Sequence, residues 1–362
     1  MRPTWAEIDL DSLTHNFNVV KGLLKRGVRV LSVVKADGYG HGAVEVSRVL
    51  VEAGTDMLGV ASVEEAVELR EYGIEVPILL LGGMRPDEAS VVVEYSLTPC
   101  VFSLDAVQTL DEESGKAAKR SPYHLKIDTG MTRLGISPGE AEAFLSVLAG
   151  LKHVVMEGAL THLASAFSES PESTREQLHR FSEVVSLIRS KGFRPRYLHS
   201  ANSAAIQRYP ESHLDLVRPG IMLYGSEGLN GIPLKPVMKL KTKIIQLRSV
   251  PAGTPVSYGG TFVTARPSVI ATLPIGYADG YMRRLSNRAK VSVRDGLAPV
   301  VGTVCMDLIT VDVTDVEGIS VGDEVVLFGD GGVSVDSVAR WADTISYEIL
   351  SMTGKRVPRR YV

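Results

Sequence analysis

Cysteine is scarce in this chain. Cys100 and Cys305 are the only two among 362 residues, and they lie far apart. They make no metal-ligand pair, and so little cysteine fits a reducing compartment better than a disulfide scaffold. Long apolar runs are also missing: no stretch approaches the ~20 residues of a membrane span. The first ten residues, Met1 to Leu10, alternate and carry acids, without the apolar core of a secretory signal. The formal net charge of −3 leaves no basic excess to draw nucleic acid. His41, His162 and His199 have no zinc-site spacing. Gly38-Tyr39-Gly40-His41-Gly42 lacks the pattern of a phosphate-binding or dinucleotide fingerprint. No serine, histidine and aspartate are spaced to suggest a triad. The expectation is a soluble cytoplasmic protein with no metal.

What is present is enough apolar residue, 44%, for a substantial core, and enough length for two domains. After a first short strand within Thr4–Leu10, a helix is predicted from Asp11 to Leu24, with Asp11 as a cap. Apolar strand-like runs then recur at 28–36, 57–61, 76–82, 98–102, 123–128, 156–161, 197–200 and 215–223. Helical patterns fall between most of them, at 41–53, 63–72, 87–95, 104–118, 138–148 and 173–190. The last connection is the shortest, around 204–209. Eight such runs separated by helices predict a closed (β/α)8 barrel over 1–232, with a doubly wound open sheet as the alternative. Lys35, Lys126–Arg133, His162 and Ser203 fall at or just beyond strand ends, and Arg218 lies within the last strand. In a barrel those ends share one face.

Around Gly225–Lys235 the texture changes to glycine and proline. Beyond it, alternating runs at 238–244 and 289–294, and apolar runs at 300–304, 308–313 and 324–328, predict a mainly β domain over 233–362. Helices are expected near 333–341 and 345–352. The N-terminal strand is a candidate to pair with this domain.

The most informative stretch is Val33-Val34-Lys35-Ala36-Asp37-Gly38-Tyr39-Gly40-His41-Gly42. Its valine-rich lead reads as a buried parallel strand, and its glycines as a turn at the strand's end. A lysine at such a mouth loses proton affinity by desolvation and becomes a nucleophilic amine. Schiff-base chemistry, above all with pyridoxal phosphate, follows from that; a surface lysine is the plain alternative.

This stretch resembles the cofactor-attachment motif of the alanine racemases. The resemblance continues at Ile127–Gly135, His199–Ser203, Val217–Ile221, Tyr258–Phe262 and Val304–Asp307, in one order along nearly the whole chain. It implies that Lys35 holds pyridoxal phosphate. Tyr39, Ser203, Gly220, Ile221 and Tyr347 are then phosphate ligands, and Arg218, supported by His162, meets the pyridine nitrogen. An arginine can donate there but not accept, which disfavours a protonated ring nitrogen. The resemblance makes Lys35 and Tyr258 the two catalytic bases, with Tyr258 reaching the other subunit of a homodimer. A free tyrosine titrates near ~10, so Tyr258 would need help from its surroundings. Arg133 and the Met306 N–H are implied for the substrate carboxylate, and Tyr277 and Asp307 for the access channel. Lys126 matches a lysine that many members carbamylate, which would turn repulsion by Arg133 into attraction; the alternative is an ammonium paired with Asp128.

The activity implied is interconversion of L- and D-alanine, supplying D-alanine for peptidoglycan. A racemase of serine or broader specificity is the near alternative. A decarboxylase on the same scaffold is opposed by the Tyr258 motif. A pyridoxal-phosphate carrier without catalysis is opposed by the second domain.

Overall fold

The computed structural model describes residues 2–168, 170–226 and 231–362. The chain divides into two compact units. One comprises Phe17–Gly38 and Ala43–Leu223; the other comprises Met1–Asn16, Tyr39–Gly42 and Tyr224–Val362. Compactness therefore changes at 223/224, ahead of the Gly225–Lys235 stretch where the texture changes. Residues 227–230 of that stretch lie outside the described residues.

The first unit is an eight-stranded parallel sheet. The chain's first strand, β1 (Trp5–Ile8), lies elsewhere. The eight are β2 (Arg29–Val33), β3 (Met57–Val60), β4 (Ile78–Leu80), β5 (Thr98–Val101), β6 (Ser121–Lys126), β7 (Val154–Leu160), β8 (Tyr197–His199) and β9 (Leu216–Val217). Neighbours in sequence are neighbours in the sheet, except that β9 pairs with β2. The ring closes between β8 and β9, where Asp215 N donates to Leu198 O at 3.0 Å and Arg218 N to Ala201 O at 3.0 Å. Helices cover the strands on the outside, as (β/α)8 architecture requires. Every residue of β3, β4 and β5 is buried, which is why these segments read as unbroken apolar runs. Serines start two of the helices: Ser62 accepts the Glu65 N–H and Ser103 the Ala106 N–H.

The expected strand at 215–223 is short. It stops at Val217, because Pro219 cannot donate to a ladder, and the chain continues as a 3-10 turn over Ile221–Tyr224. The expected helix from His41 begins instead at Ala43. Before it, Lys35–Gly40 forms a helical turn of the opposite hand. Ala36, Asp37, Gly38, Tyr39 and Gly40 have φ of +53°, +54°, +59°, +54° and +80°. Each non-glycine there costs roughly 1–2 kcal/mol relative to a right-handed residue. Local bonds hold the turn: Gly38 N donates to Val34 O at 2.8 Å, and Ala43 N donates to Asp37 Oδ1 at 2.9 Å.

The second unit contains a six-stranded sheet. β1 lies inside it, antiparallel to β10 (Met238–Lys243), with Trp5 opposite Lys241, and parallel to Arg359–Tyr361. Arg360 lies 4.4 Å over the Trp5 ring, and the Thr4 hydroxyl meets the Thr242 hydroxyl at 2.8 Å. The unit also holds a three-stranded sheet, Gln246–Val250, Ser268–Leu273 and Ile309–Asp312, a two-stranded pair, Pro255–Val256 with Phe262–Val263, and helices Val335–Ala342 and Ser346–Ser351. The expected strand at 300–304 is not formed. Lys290–Val293 turns back at once to pair with Gly296–Pro299, leaving Val300 only an isolated bridge to Val311. Among the described residues no helix is long and apolar enough to cross a membrane.

The left-handed turn is directly testable. Ala36→Gly removes the Cβ clash at positive φ but loosens the unfolded chain, so the net gain is about 0.5–1 kcal/mol. Gly38→Ala, at φ +59°, should cost about 1 kcal/mol. Thermal unfolding of both variants checks this. A loss for Ala36→Gly with a gain for Gly38→Ala would mean that the turn is not left-handed.

Candidate active site

The C-terminal ends of the barrel strands carry a group of basic side chains. Lys35 follows β2 and is partly buried. Burial, then the positive charge of Arg133, pushes its ammonium below the usual lysine range, against a smaller opposing pull from Glu65. The Glu65 carboxylate accepts the Ala36 N–H at 2.6 Å and the Ala61 N–H at 2.7 Å, fixing the ends of two strands at the mouth. Sequence reading missed it; its only signal is an acid on the first turn of the next helix.

Lys126 closes β6 and is buried. Its Nζ donates to Leu81 O at 3.3 Å. Burial lowers its proton affinity, and Arg218, Arg133 and Lys35 add to the effect, with Cys100 opposing. The pairing with Asp128 does not form. Asp128 Oδ1 accepts the N–H groups of Gly130, Met131 and Thr132 at 2.9, 2.9 and 3.1 Å, and Oδ2 accepts that of Arg133 at 3.0 Å. Burial would raise this carboxyl, but the four N–H donors outweigh it and hold it low. The acid is therefore the brace of the loop that carries Arg133. Gly135 closes the loop at φ +130°, where a Cβ would stand 2.5 Å from Asp128 N. Lys126, Ile127, Asp128, Met131, Arg133, Thr161 and His162 line one small pocket.

Arg218, just past β9, is 4% exposed. Nη2 donates to Thr161 O at 2.8 Å and Ser200 O at 3.0 Å, and lies 3.4 Å from His162 Nδ1. Nη1 meets His199 Nδ1 at 2.9 Å. Burial lowers the guanidinium to about 10, so it stays a cation at neutral pH. His162 is pushed down to about 3 by burial and by Arg218, and is neutral. The Arg218 Nε–H makes no hydrogen bond among the described residues. A buried cation with its Nε–H left over suits an uncharged ring nitrogen.

Ser203 begins the helix Ser203–Arg208, capped by Asn202. Its Oγ accepts the Gly220 N–H at 3.0 Å and lies 3.5 Å from Met222 N. The Gly220 N–H is thus engaged within the protein. Among the described residues the Ser203 O–H hydrogen and the Ile221 N–H remain for an anion, so the corner fits a phosphate. Lys35, Arg133 and Arg218 give the same mouth a positive character.

The remaining expected residues belong to the second unit. Tyr39 is buried, its ring stacked 4.7 Å from that of Tyr224 and 5.9 Å from that of Tyr347. The fold thus brings Tyr39 and Tyr347 directly together and stacks Tyr39 on Tyr224, which sequence reading did not single out. Gly40 allows this packing, since a Cβ there would stand 2.3 Å from Leu350 O. Tyr258 is 74% exposed and Met306 52%. Thr303 ties their loops together: its Oγ1 donates to Tyr258 O at 2.9 Å, and its carbonyl accepts from Ser257 Oγ at 2.6 Å. Tyr277 N donates to Cys305 O and Ala278 N to Met306 O, so Tyr258, Tyr277, Met306 and Asp307 share one exposed face. Asp279, fully buried, anchors it. Arg2 donates to both its oxygens at 2.6 Å, and Arg356 reaches both Asp279 and Asp307.

The sequence of residues 8–228 matches the family model described as alanine racemase, N-terminal domain, and 237–361 that described as alanine racemase, C-terminal domain. A relative from Halothermothrix orenii named alanine racemase is 47% identical, over 99% of this chain and 97% of its own. A solved alanine racemase from Clostridium difficile 630 superposes with a TM-score of 0.95 at 39% identity, covering 100% of this chain and 96% of that one. Another solved structure of that protein, in complex with cycloserine, gives 0.93 at 38%, with 100% and 96% covered. With both domain models matched in order and likeness running end to end, the chain belongs to the alanine racemase family.

Proposed function

We propose that this protein interconverts L- and D-alanine with pyridoxal phosphate as cofactor, and so supplies D-alanine for peptidoglycan in the bacterial cytoplasm. The observation that carries this reading is the barrel mouth. There a lysine of lowered proton affinity stands near Arg133, and a buried arginine keeps its Nε–H for a ring nitrogen. Held on Lys35, pyridoxal phosphate supplies an electron sink that makes the α-proton of the amino acid acidic.

The protein's own residues do the rest. Ser203, Ile221, Tyr39 and Tyr347 hold the phosphate end, and the Gly220 N–H holds the Ser203 hydroxyl in place there. Arg133 pairs with the substrate carboxylate, and so does the backbone N–H of Met306 of the partner subunit. The lowered affinity of Lys35 lets its Nζ accept the α-proton on the D face and return it. Tyr258 of the partner subunit does the same on the L face. Exposure of Tyr258 and Met306 on one patch supports a homodimer that shares its sites. Tyr277 and Asp307 line the access channel. The Arg218 N–H donates to the ring nitrogen and disfavours its protonation, which limits side reactions such as transamination. A small pocket favours alanine over bulkier amino acids.

The decisive experiment follows deuterium from solvent into the α-carbon of each enantiomer, with product chirality read alongside. The wild type should label both and invert both. In Tyr258→Phe, exchange from L-alanine should fall roughly 100-fold or more, and exchange from D-alanine far less. Mixing it with Lys35→Ala should restore part of the activity in heterodimers. Equal losses on both faces, or proven heterodimers without recovery, would refute the two-base, two-subunit arrangement.

Lys126 is read as a carbamate. Its lowered proton affinity favours the neutral amine, which attacks carbon dioxide, forms a C–N bond and releases one proton. The new oxygens would accept from Arg133 and hold it toward the substrate. Lys126→Ala should lower kcat/KM roughly 10- to 100-fold, with partial rescue by acetate. A bare amine in crystals kept in bicarbonate would reject this.

A further inference from the structure

The barrel interior below Arg218 is not apolar. Such interiors are ordinarily filled by branched aliphatic side chains. Here His199, at the end of β8, and His124, on β6, are both fully buried. His124 lies two residues before Lys126, so both point inward, one layer apart. The links run in one line: Arg218 Nη1 to His199 Nδ1 at 2.9 Å, His199 Nε2 to His124 Nδ1 at 2.8 Å, and His124 Nε2 to Glu157 Oε2 at 3.4 Å. The two imidazoles meet edge to face, with centroids 5.0 Å apart.

The direction of this chain follows from its first member. A guanidinium has only donors. His199 Nδ1 must therefore accept, which puts the His199 proton on Nε2. His124 Nδ1 must then accept in turn, which puts its proton on Nε2, facing a carboxylate. Both rings must be neutral, and burial lowers both below the usual histidine range.

Two features of the backbone support the arrangement. β6 and β7 pair Tyr123 with Met156 but His124 with Gly158, so Glu157 is the extra residue of a bulge. A bulge re-aims a side chain. The next residue is glycine, and a Cβ on Gly158 would stand 2.6 Å from His124 Nδ1. The space for the ring is thus built into β7.

We propose that His199, His124 and Glu157 are positioning residues for Arg218: a one-directional hydrogen-bond chain that runs from the guanidinium to the Glu157 carboxylate and fixes where the guanidinium donates. The link to catalysis rests on the racemase reading; the proton positions do not. The chain makes Glu157 matter to a site it does not touch. A donor in place of Glu157 reverses every link and sets the His199 Nδ1–H against the Arg218 Nη1–H. Gln keeps an acceptor and keeps the direction.

The test is proton placement in the holoenzyme labelled with 15N-histidine, read by long-range proton–nitrogen correlation and assigned with His124→Asn and His199→Asn. His124 and His199 should both carry their proton on Nε2, in the wild type and in Glu157→Gln. Glu157→Lys should move the His124 proton to Nδ1 and lower kcat roughly tenfold, while Glu157→Gln stays within about twofold of wild type. A proton on Nδ1 of either ring in the wild type would overturn the chain, and needs no variant to fold. Unchanged proton positions and kcat in a folded Glu157→Lys would overturn it too. Expected proton positions in a protein with no racemase activity would instead count against the functional reading alone.

Discussion

Arg218 is the side chain on which the barrel's polar interior depends. A cation at 4% exposure is costly unless its N–H groups are paired. The Thr161 and Ser200 carbonyls, at the ends of β7 and β8, supply two partners, and His199 a third. These acceptors come from separate strands, so the guanidinium joins the ends of the ring near the seam where β8 meets β9. Its charge then governs its neighbours. It helps hold His162 and His199 neutral and lowers the proton affinity of Lys126.

A concentration of like charge in a half-buried pocket is unstable by itself and is relieved by anions. Lys35, Arg133 and Arg218 face few acids. Asp128 spends its oxygens on the backbone of its own loop, and Glu65 on two strand ends. The mouth is thereby left positive for a phosphate and a carboxylate. The same logic explains the strained turn after Lys35. The chain tolerates positive φ at Ala36, Asp37 and Tyr39 at the point where a nucleophilic amine has to be presented.

The strands were legible in the sequence because buried parallel strands are apolar on both faces, and the helices because periodic apolar residues mark them. Boundaries failed where local geometry overrides composition. Nothing in Ala36, Asp37 and Tyr39 suggests a left-handed turn; only Gly38 and Gly40 hint at it. The 300–304 run has strand composition, yet its neighbours pair without it. Lys35 stands out from its position at a strand end, while the roles of Arg218, Tyr258 and Tyr347 came only through family resemblance. His124 and Glu157 were invisible, since one depends on strand alternation and the other on a bulge that no composition encodes. Tyr224 and Asp279 were missed because their partners lie far away along the chain.

The central claim is that Arg218 can only donate to the ring it serves. The most direct measurement is the nitrogen-15 resonance of pyridoxal phosphate labelled in its ring and bound to the protein. An unprotonated, hydrogen-bonded ring nitrogen across the neutral range is the expected result. A resonance typical of the protonated pyridinium would contradict the account.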